Sequence, residues 1–345
     1  MTGVYTAPGP QGWGVYEVAF RDGQPEFRPA NREPEGYCIP GFVDLHIHGA
    51  YGIDFMSADP GDMVKMADRL GEEGYAGFLP TTITASASDI RSALDNLPQH
   101  PLIWGFHLEG PFLSPQFPGA QPPASIVPPP TGPSEWDAIL DDPRLRLLTL
   151  APEIPGALDL TARLAARGVI VSAGHTDATA NQISQAVSAG LSHATHTFNA
   201  MRGLHHREAG TVGAVLTQDS ITAELIYDGH HVSRAAADVL LRCKPGNRVV
   251  AVSDCTKAKG LPVGAEFDMW GHSAIKGESD VRLKDNGALA GSCATLADCF
   301  RNIAADFGVE TATRICCLNP LSELKMSLPT KWIVLDNDLD LQHLA

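Results

Sequence analysis

The sequence predicts an α/β fold, a closed (β/α)8 barrel with a small β domain assembled from the two chain ends. Three observations point there. A short apolar run recurs eight times, each run passes into a polar cluster, and helix-like stretches lie between the runs. Continuously apolar strands separated by helices imply a parallel sheet covered on both faces. Eight such units suit a closed barrel. An open doubly wound sheet would favour a glycine-rich phosphate loop after the first strand. Here that strand runs instead into Asp44-Leu45-His46-Ile47-His48-Gly49.

The runs occupy residues 42–48, 77–82, 102–109, 145–152, 169–175, 192–198, 221–227 and 248–254, and helical patterns occupy 61–74, 87–97, 157–167, 178–189 and 233–242. The barrel is assigned to residues 40–327. Residues 1–39 alternate apolar and polar side chains over 14–20 and 24–27, and residues 328–345 contain the strand-like Trp332-Ile333-Val334-Leu335. Those two segments are assigned to the small β domain. The proline-rich stretch 114–133 reads either as a stiff wall over a site or as a surface loop.

Composition narrows the function. Of 345 residues, 44% are hydrophobic and 19% charged, enough for a large core and too apolar for disorder. A formal charge of −15 repels a phosphate backbone, so no nucleic-acid partner is expected. No apolar run approaches the roughly 18 residues of a membrane helix, so no membrane association is expected. The first residues lack the basic start and apolar stretch of a secretory leader. Seven scattered cysteines without a CxxC read as reduced thiols. A cytoplasmic location is the expectation.

The chemistry concentrates at the ends of the runs. His46 and His48 are two apart on the first strand, so their side chains share one face and can grip one metal. Asp44 lies on that face as a candidate acceptor for one ring. His107 and Glu109 share a face of the third strand. His175 ends the fifth strand, His193 and His196 end the sixth, and Asp254 ends the eighth. Singly, each reads as an ordinary hydrogen-bonded or solvated residue. Together they ring the C-terminal face of the barrel, where catalytic residues gather. Imidazoles and carboxylates crowded there leave polar groups unpaired unless a divalent cation joins them.

The chain resembles the amidohydrolase superfamily and, within it, the branch that deacetylates N-acetylated amino-sugar phosphates. The resemblance rests on PGFVDLHIHG (40–49), HLEGPF (107–112), GHT (174–176), THTFNAM (195–201), REAG (207–210), DGHHV (228–232), VSD (252–254) and LAGS (289–292), in the family's order. The histidine pair is common to the superfamily, whereas HLEGPF and THTFNAM mark the deacetylase branch. Many members carry a carboxylated lysine on the fourth strand. Residues 144–152 contain no lysine, and Glu109 matches the glutamate that replaces it.

The resemblance implies that Glu109, His175 and His196 bind a principal metal and that His46 and His48 hold a second. One or two divalent cations per subunit are expected, zinc first, with iron, manganese or cobalt also compatible with imidazole and carboxylate. Asp254 is implied as the acid/base and His231 as the group assisting the substrate carbonyl, with His230 the neighbouring alternative. Ala120, Asn199, Ala200, Arg207, Leu289, Ala290 and Gly291 are implied as substrate contacts. The implied reaction hydrolyses the acetamide of a sugar phosphate, N-acetylglucosamine 6-phosphate, in a homodimer. Another barrel amidohydrolase acting on a cyclic amide or N-acyl amino acid is the alternative.

These roles also make physical sense. A metal makes water more acidic and polarises a carbonyl, a carboxylate can shuttle the proton, and an imidazole can steady the oxyanion. Backbone N–H groups at a helix start, expected after Phe198, suit a phosphate. Arg207 offers it a paired contact, or else forms a surface salt bridge with Glu208. Gln116 and Phe117 stand where many relatives carry basic residues, which bears on the preferred sugar.

Overall fold

Alternating side chains at the start of the chain give an antiparallel meander. In the computed structural model, which describes residues 2–328 and 331–345, these strands are β1 (Thr2–Gly9), β2 (Gly12–Arg21) and β3 (Gln24–Pro29), followed by β4 (Tyr37–Pro40). Met1, Pro329 and Thr330, within the two predicted terminal segments, lie outside the described residues.

The chain then turns inward. β5 (Phe42–Ile47) is buried at every residue, as expected of a strand covered on both faces. After the short hairpin β6 (Gly49–Ala50) and β7 (Ile53–Asp54), α1 (Pro60–Glu72) returns along the outside. Asp59 caps it by accepting from the Asp62 N–H, Pro60 opens it, and Met63, Met66, Ala67 and Leu70 form its buried stripe. β8 (Tyr75–Pro80), α2 (Ala87–Asp95), β9 (Phe106–Glu109), α3 (Asp137–Leu140), β10 (Leu145–Leu150) and α4 (Ala157–Ala166) continue the alternation. So do β11 (Ile170–Ala173), α5 (Ala180–Ala189), β12 (His193–Ala194), α6 (Gly210–Thr217), β13 (Thr222–Leu225), α7 (Arg234–Cys243) and β14 (Val249–Ala251).

β9 to β14 form one parallel sheet in sequence order, and β5 pairs in parallel with β8. Single parallel bridges join the two sets: Phe78 to Ile103, Thr81 to His107, and Ile47 to Cys255 just past β14. Val43, Leu45, Leu79, Leu147, Ile226 and Val250 pack as one buried cluster with contributions from both sets. Each of the eight apolar runs therefore contributes a strand. Most are shorter than their runs, the third and the sixth for visible reasons. Gly105, with φ 130°, breaks the third, and the sixth is cut to two residues because His196, Phe198 and Ala200 turn out of it with φ of 31°, 82° and 47°, in the left-handed region.

A three-stranded antiparallel sheet, β15 (Glu266–Met269), β16 (His272–Lys276) and β17 (Val281–Leu283), follows β14 and was not expected from the sequence. Its first turn places Trp270 and Gly271 at φ 54° and 90°. After α8 (Leu296–Phe307), β18 (Trp332–Leu335) pairs with β4, and β19 (Leu341–Leu344) pairs with β18. The resulting sheet, ordered β19-β18-β4-β1-β2-β3, draws strands from both chain ends. Among the described residues, no helix is long and apolar enough to cross a membrane.

Candidate active site

The strands deliver their chemistry to one end. Glu109 is the last residue of β9, His175 and His196 follow β11 and β12, Asp254 follows β14, and His46 and His48 sit at the end of β5. His175, His196 and Asp254 adopt left-handed backbone with φ of 46°, 31° and 49°. Such conformations cost about 1–3 kcal/mol each and concentrate at functional sites. Here they turn each strand end abruptly while its side chain stays buried in the shared site.

Two donor sets meet on Glu109. Its Oε1 lies 3.2 Å from His175 Nε2 and 3.2 Å from His196 Nε2, and those two nitrogens are 3.1 Å apart. On the other side, His46 Nε2 and His48 Nε2 are 3.2 Å apart, and Asp254 Oδ1 lies 3.5 and 3.3 Å from them. Glu109 Oε2 is 3.2 Å from His48 Nε2 and accepts a hydrogen bond of 2.7 Å from Gln121 Nε2. A tetrahedral cation about 2.0–2.1 Å from each ligand holds neighbouring ligand atoms about 3.3 Å apart. The imidazole and carboxylate atoms are therefore spaced as a divalent cation requires, and the donor set fits one.

The far ring nitrogens fix which nitrogen faces the site. His175 Nδ1 donates to the Phe117 carbonyl at 2.9 Å, His48 Nδ1 to the Thr81 carbonyl at 3.1 Å, and His46 Nδ1 to Glu224 Oε2 at 3.1 Å. His196 Nδ1 is buried and has no partner among the described residues. Asp44 does not orient a ring. It accepts from the backbone N–H groups of His46 and Ser253 instead, because its position low on β5 puts it beneath the imidazoles. His107 sits below the site, with Nε2 2.7 Å from Thr149 Oγ1.

Burial opposes charge on His46, His48, Glu109 and Asp254, and their neighbours overrule it. Hydrogen bonds from His48 to Asp254 and Glu109 push the ring up to about 9, and the charges of Glu109, Glu224 and Asp254 raise His46 well above its usual value. In return, Glu109 is held well below the ordinary carboxylate range by His46, His175 and His196. The cluster thus demands positive charge to balance its buried carboxylates.

The site opens into a cavity of about 310 Å³. His231 lines it, and its Nδ1 donates to Asp228 Oδ2 at 2.8 Å. Burial resists ionisation of Asp228, but its bond to His231 prevails and brings the carboxyl down to about 2. The reciprocal effect raises His231 above its usual value against burial. His230 points elsewhere, to Ser279 Oγ at 2.7 Å, and is exposed.

Of the expected substrate contacts, Ala120, Asn199, Ala200, Leu289 and Gly291 line the cavity. Ala290, between two lining residues, is fully buried and packs away from it against Ala274, Val281 and Leu283. Arg207 is exposed and off the wall, its Nη1 2.8 Å from His206 Nε2. It does not pair with Glu208, which accepts from the Ala180 and Gly210 N–H groups. The expected helix after Phe198 is a turn, and the helix begins at Gly210, because the left-handed residues Phe198 and Ala200 cannot propagate one.

The sequence reading missed Gln121, Glu224 and Trp270. The proline-rich stretch carries Gly119, Ala120 and Gln121 onto the cavity wall, which settles it as a wall over the site. Trp270, on the turn of the unexpected sheet, also lines the cavity, with its ring centroid 5.0 Å from that of His48.

Parallel strands alternating with helices, and clusters of imidazoles and carboxylates at the strand ends that could hold a metal, suit a hydrolase of the metal-dependent class. The chain belongs to the amidohydrolase family, which it matches over residues 37–328, and it is an enzyme of that type. It is 36% identical over 301 residues to N-acetylglucosamine-6-phosphate deacetylase of Lysinibacillus sphaericus, covering 84% of this chain and 77% of that protein. It is 34% identical over 331 residues to N-acetylgalactosamine-6-phosphate deacetylase of Escherichia coli O157:H7, covering 91% and 87%. A mutant N-acetyl-D-glucosamine-6-phosphate deacetylase of Mycobacterium smegmatis, solved in complex with N-acetyl-D-glucosamine-6-phosphate, superposes with a TM-score of 0.89 at 28% identity, covering 100% of this chain and 97% of that one.

Proposed function

We propose that this chain hydrolyses the acetamide of N-acetylglucosamine 6-phosphate, giving glucosamine 6-phosphate and acetate in amino-sugar catabolism. The observation that carries the reading is the Glu109–His175–His196 set, with donor atoms 3.1–3.2 Å apart, on the wall of a cavity that also presents Asp254 and His231. The deacetylases to which the chain is similar support the substrate class.

In this reading Glu109, His175 and His196 hold one divalent cation, and His46 and His48 hold a second with Asp254 beside them. Zinc is the first choice, and iron, manganese or cobalt suit the same donors. When bound, the cation supplies Lewis acidity toward the amide carbonyl and toward water. Asp254 takes a proton from the attacking water as the C–O bond forms, then delivers it to the amine nitrogen as the C–N bond breaks. His231, held by Asp228, donates to the carbonyl oxygen as negative charge develops there. Asn199, Ala200, Leu289 and Gly291 shape the space for the sugar. Arg207 takes the phosphate from across a homodimer, consistent with its exposure in a single chain.

We further read β5 and β8–β14 as one closed (β/α)8 barrel, with residues 1–39 and 328–345 as a small β domain and the cytoplasm as its location. The bridges that join the two sets of strands support the closure.

The test is an acetate-release assay on zinc-loaded protein with three substrates: N-acetylglucosamine 6-phosphate, its galactosamine epimer and unphosphorylated N-acetylglucosamine. Turnover of the glucosamine phosphate at least about tenfold above the plain sugar is expected, the loss of one charge-assisted phosphate contact being worth roughly 1.5–3 kcal/mol. Preference for the epimer would reassign the sugar, and no acetate from any of the three would overturn the reading.

A further inference from the structure

We infer that Glu224 is a positioning residue for both halves of the cation site, aiming the ring of His46 and anchoring the turn that carries His196. The inference rests on the cation site of the proposed function. Glu224 lies on β13, between β12 and β14, and is fully buried. Its Oε2 accepts from His46 Nδ1 at 3.1 Å and from the His196 backbone N–H at 2.9 Å. Its Oε1 accepts from His193 Nε2 at 3.1 Å.

Each contact does something definite. The bond at His46 Nδ1 commits that nitrogen's proton to Glu224, so Nε2 is the atom left to face Glu109 and Asp254. The bond to the His196 N–H holds a residue whose φ of 31° lies outside the comfortable regions, where the surroundings must enforce the turn. Since one oxygen makes both bonds, a shift of this carboxylate disturbs His46 and His196 together. The carboxylate is itself clamped from behind. His193 Nδ1 bonds Glu323 Oε1 at 3.2 Å, and Glu323 Oε2 accepts from Thr222 Oγ1 at 2.8 Å. Reach, not only charge, is what this arrangement requires.

Two substitutions separate those properties. Glu224→Gln keeps the length and an oxygen for His46 and His196, but loses the charge. Glu224→Asp keeps the charge and is one methylene too short. Zn2+ per chain, chelator competition and thermal melting are measured on both variants and the wild type, with acetate release alongside. Positioning predicts that the Gln variant keeps the wild-type stoichiometry within about tenfold in affinity, whereas the Asp variant loses about 10–100-fold. The reverse order would make Glu224 a counter-charge and overturn the inference, as would wild-type affinity in both variants. If the Asp variant does not fold, the Gln variant decides alone: zinc held within about tenfold supports positioning, and a larger loss overturns it. The zinc readout needs no substrate. A wild type that binds zinc but releases no acetate sinks the proposed reaction and leaves this ordering to be read, while a wild type that binds no zinc sinks both.

Discussion

Asp254 faces two jobs, because its Oδ1 lies 3.5 and 3.3 Å from the site-facing nitrogens of His46 and His48 and it also lines the cavity. Asp254→Asn keeps the shape and removes the proton acceptor. As acid/base, the residue should carry about 10²–10⁴-fold in kcat, so the variant is expected to lose that much turnover while KM and zinc content stay near wild type. Zinc loss in step with activity, measured by metal analysis of the same sample, would make Asp254 chiefly a ligand. Residues of this kind were legible in the sequence. A carboxylate or imidazole closing an apolar run stands out by type and by place, as Glu109, His175 and Asp254 do. Glu224 was not legible, since a charged residue inside a buried strand looks like an interruption until its three donors, from β5 and β12 and the turn beyond, are seen around it.

At the scale of elements, helix ends and strand cores were readable and the breaks between them were not. Thr179 and Gln182 announce the capping box of α5, whereas the left-handed turns after β11 and β12 follow from packing at the site. The β15–β17 sheet escaped because its strands are short and half exposed. Gly174 shows how tightly the strand ends are set. A Cβ built there lies 2.7 Å from Thr149 Cγ2 and 2.8 Å from Thr195 Cβ, both on neighbouring strands or their ends. Both threonines are fully buried and hydrogen-bonded to each other, so neither can swing away cheaply. Gly174→Ala should therefore force β11 from its neighbours, at a cost of about 1–3 kcal/mol for an overpacked core. The melting temperature should drop by roughly 2 °C per kcal/mol in a chain of this size. Because His175 is the next residue, zinc affinity should weaken too. Unchanged melting and zinc binding would mean that the strand ends are looser than their packing indicates.

For the whole molecule, the recurring apolar run made the parallel α/β architecture legible, since each strand is buried on both faces and needs no alternation. The joining of the strand sets by single bridges depends on long-range register that no local pattern records. The same long-range assembly brings Glu109, His175, His196, His46, His48 and Asp254 together from five strands, so a cation held by them ties together segments far apart in sequence. The unfolded chain offers no such assembled site, and a ligand that binds only the folded state stabilises it by RT ln(1 + [L]/Kd), about 4.1 kcal/mol at 1,000 times Kd. Chelation should therefore lower the melting temperature by several degrees, and stoichiometric Zn2+ should restore it. The ligating imidazoles must be deprotonated to hold a cation, so protons compete with it. The gap in melting temperature between loaded and chelated protein is thus expected to narrow as pH falls from about 9, the value to which its carboxylate neighbours push His48, toward about 5. Scanning calorimetry on both forms across that range measures it. A gap that is absent, or that widens on acidification, would show that these six side chains do not hold the ion.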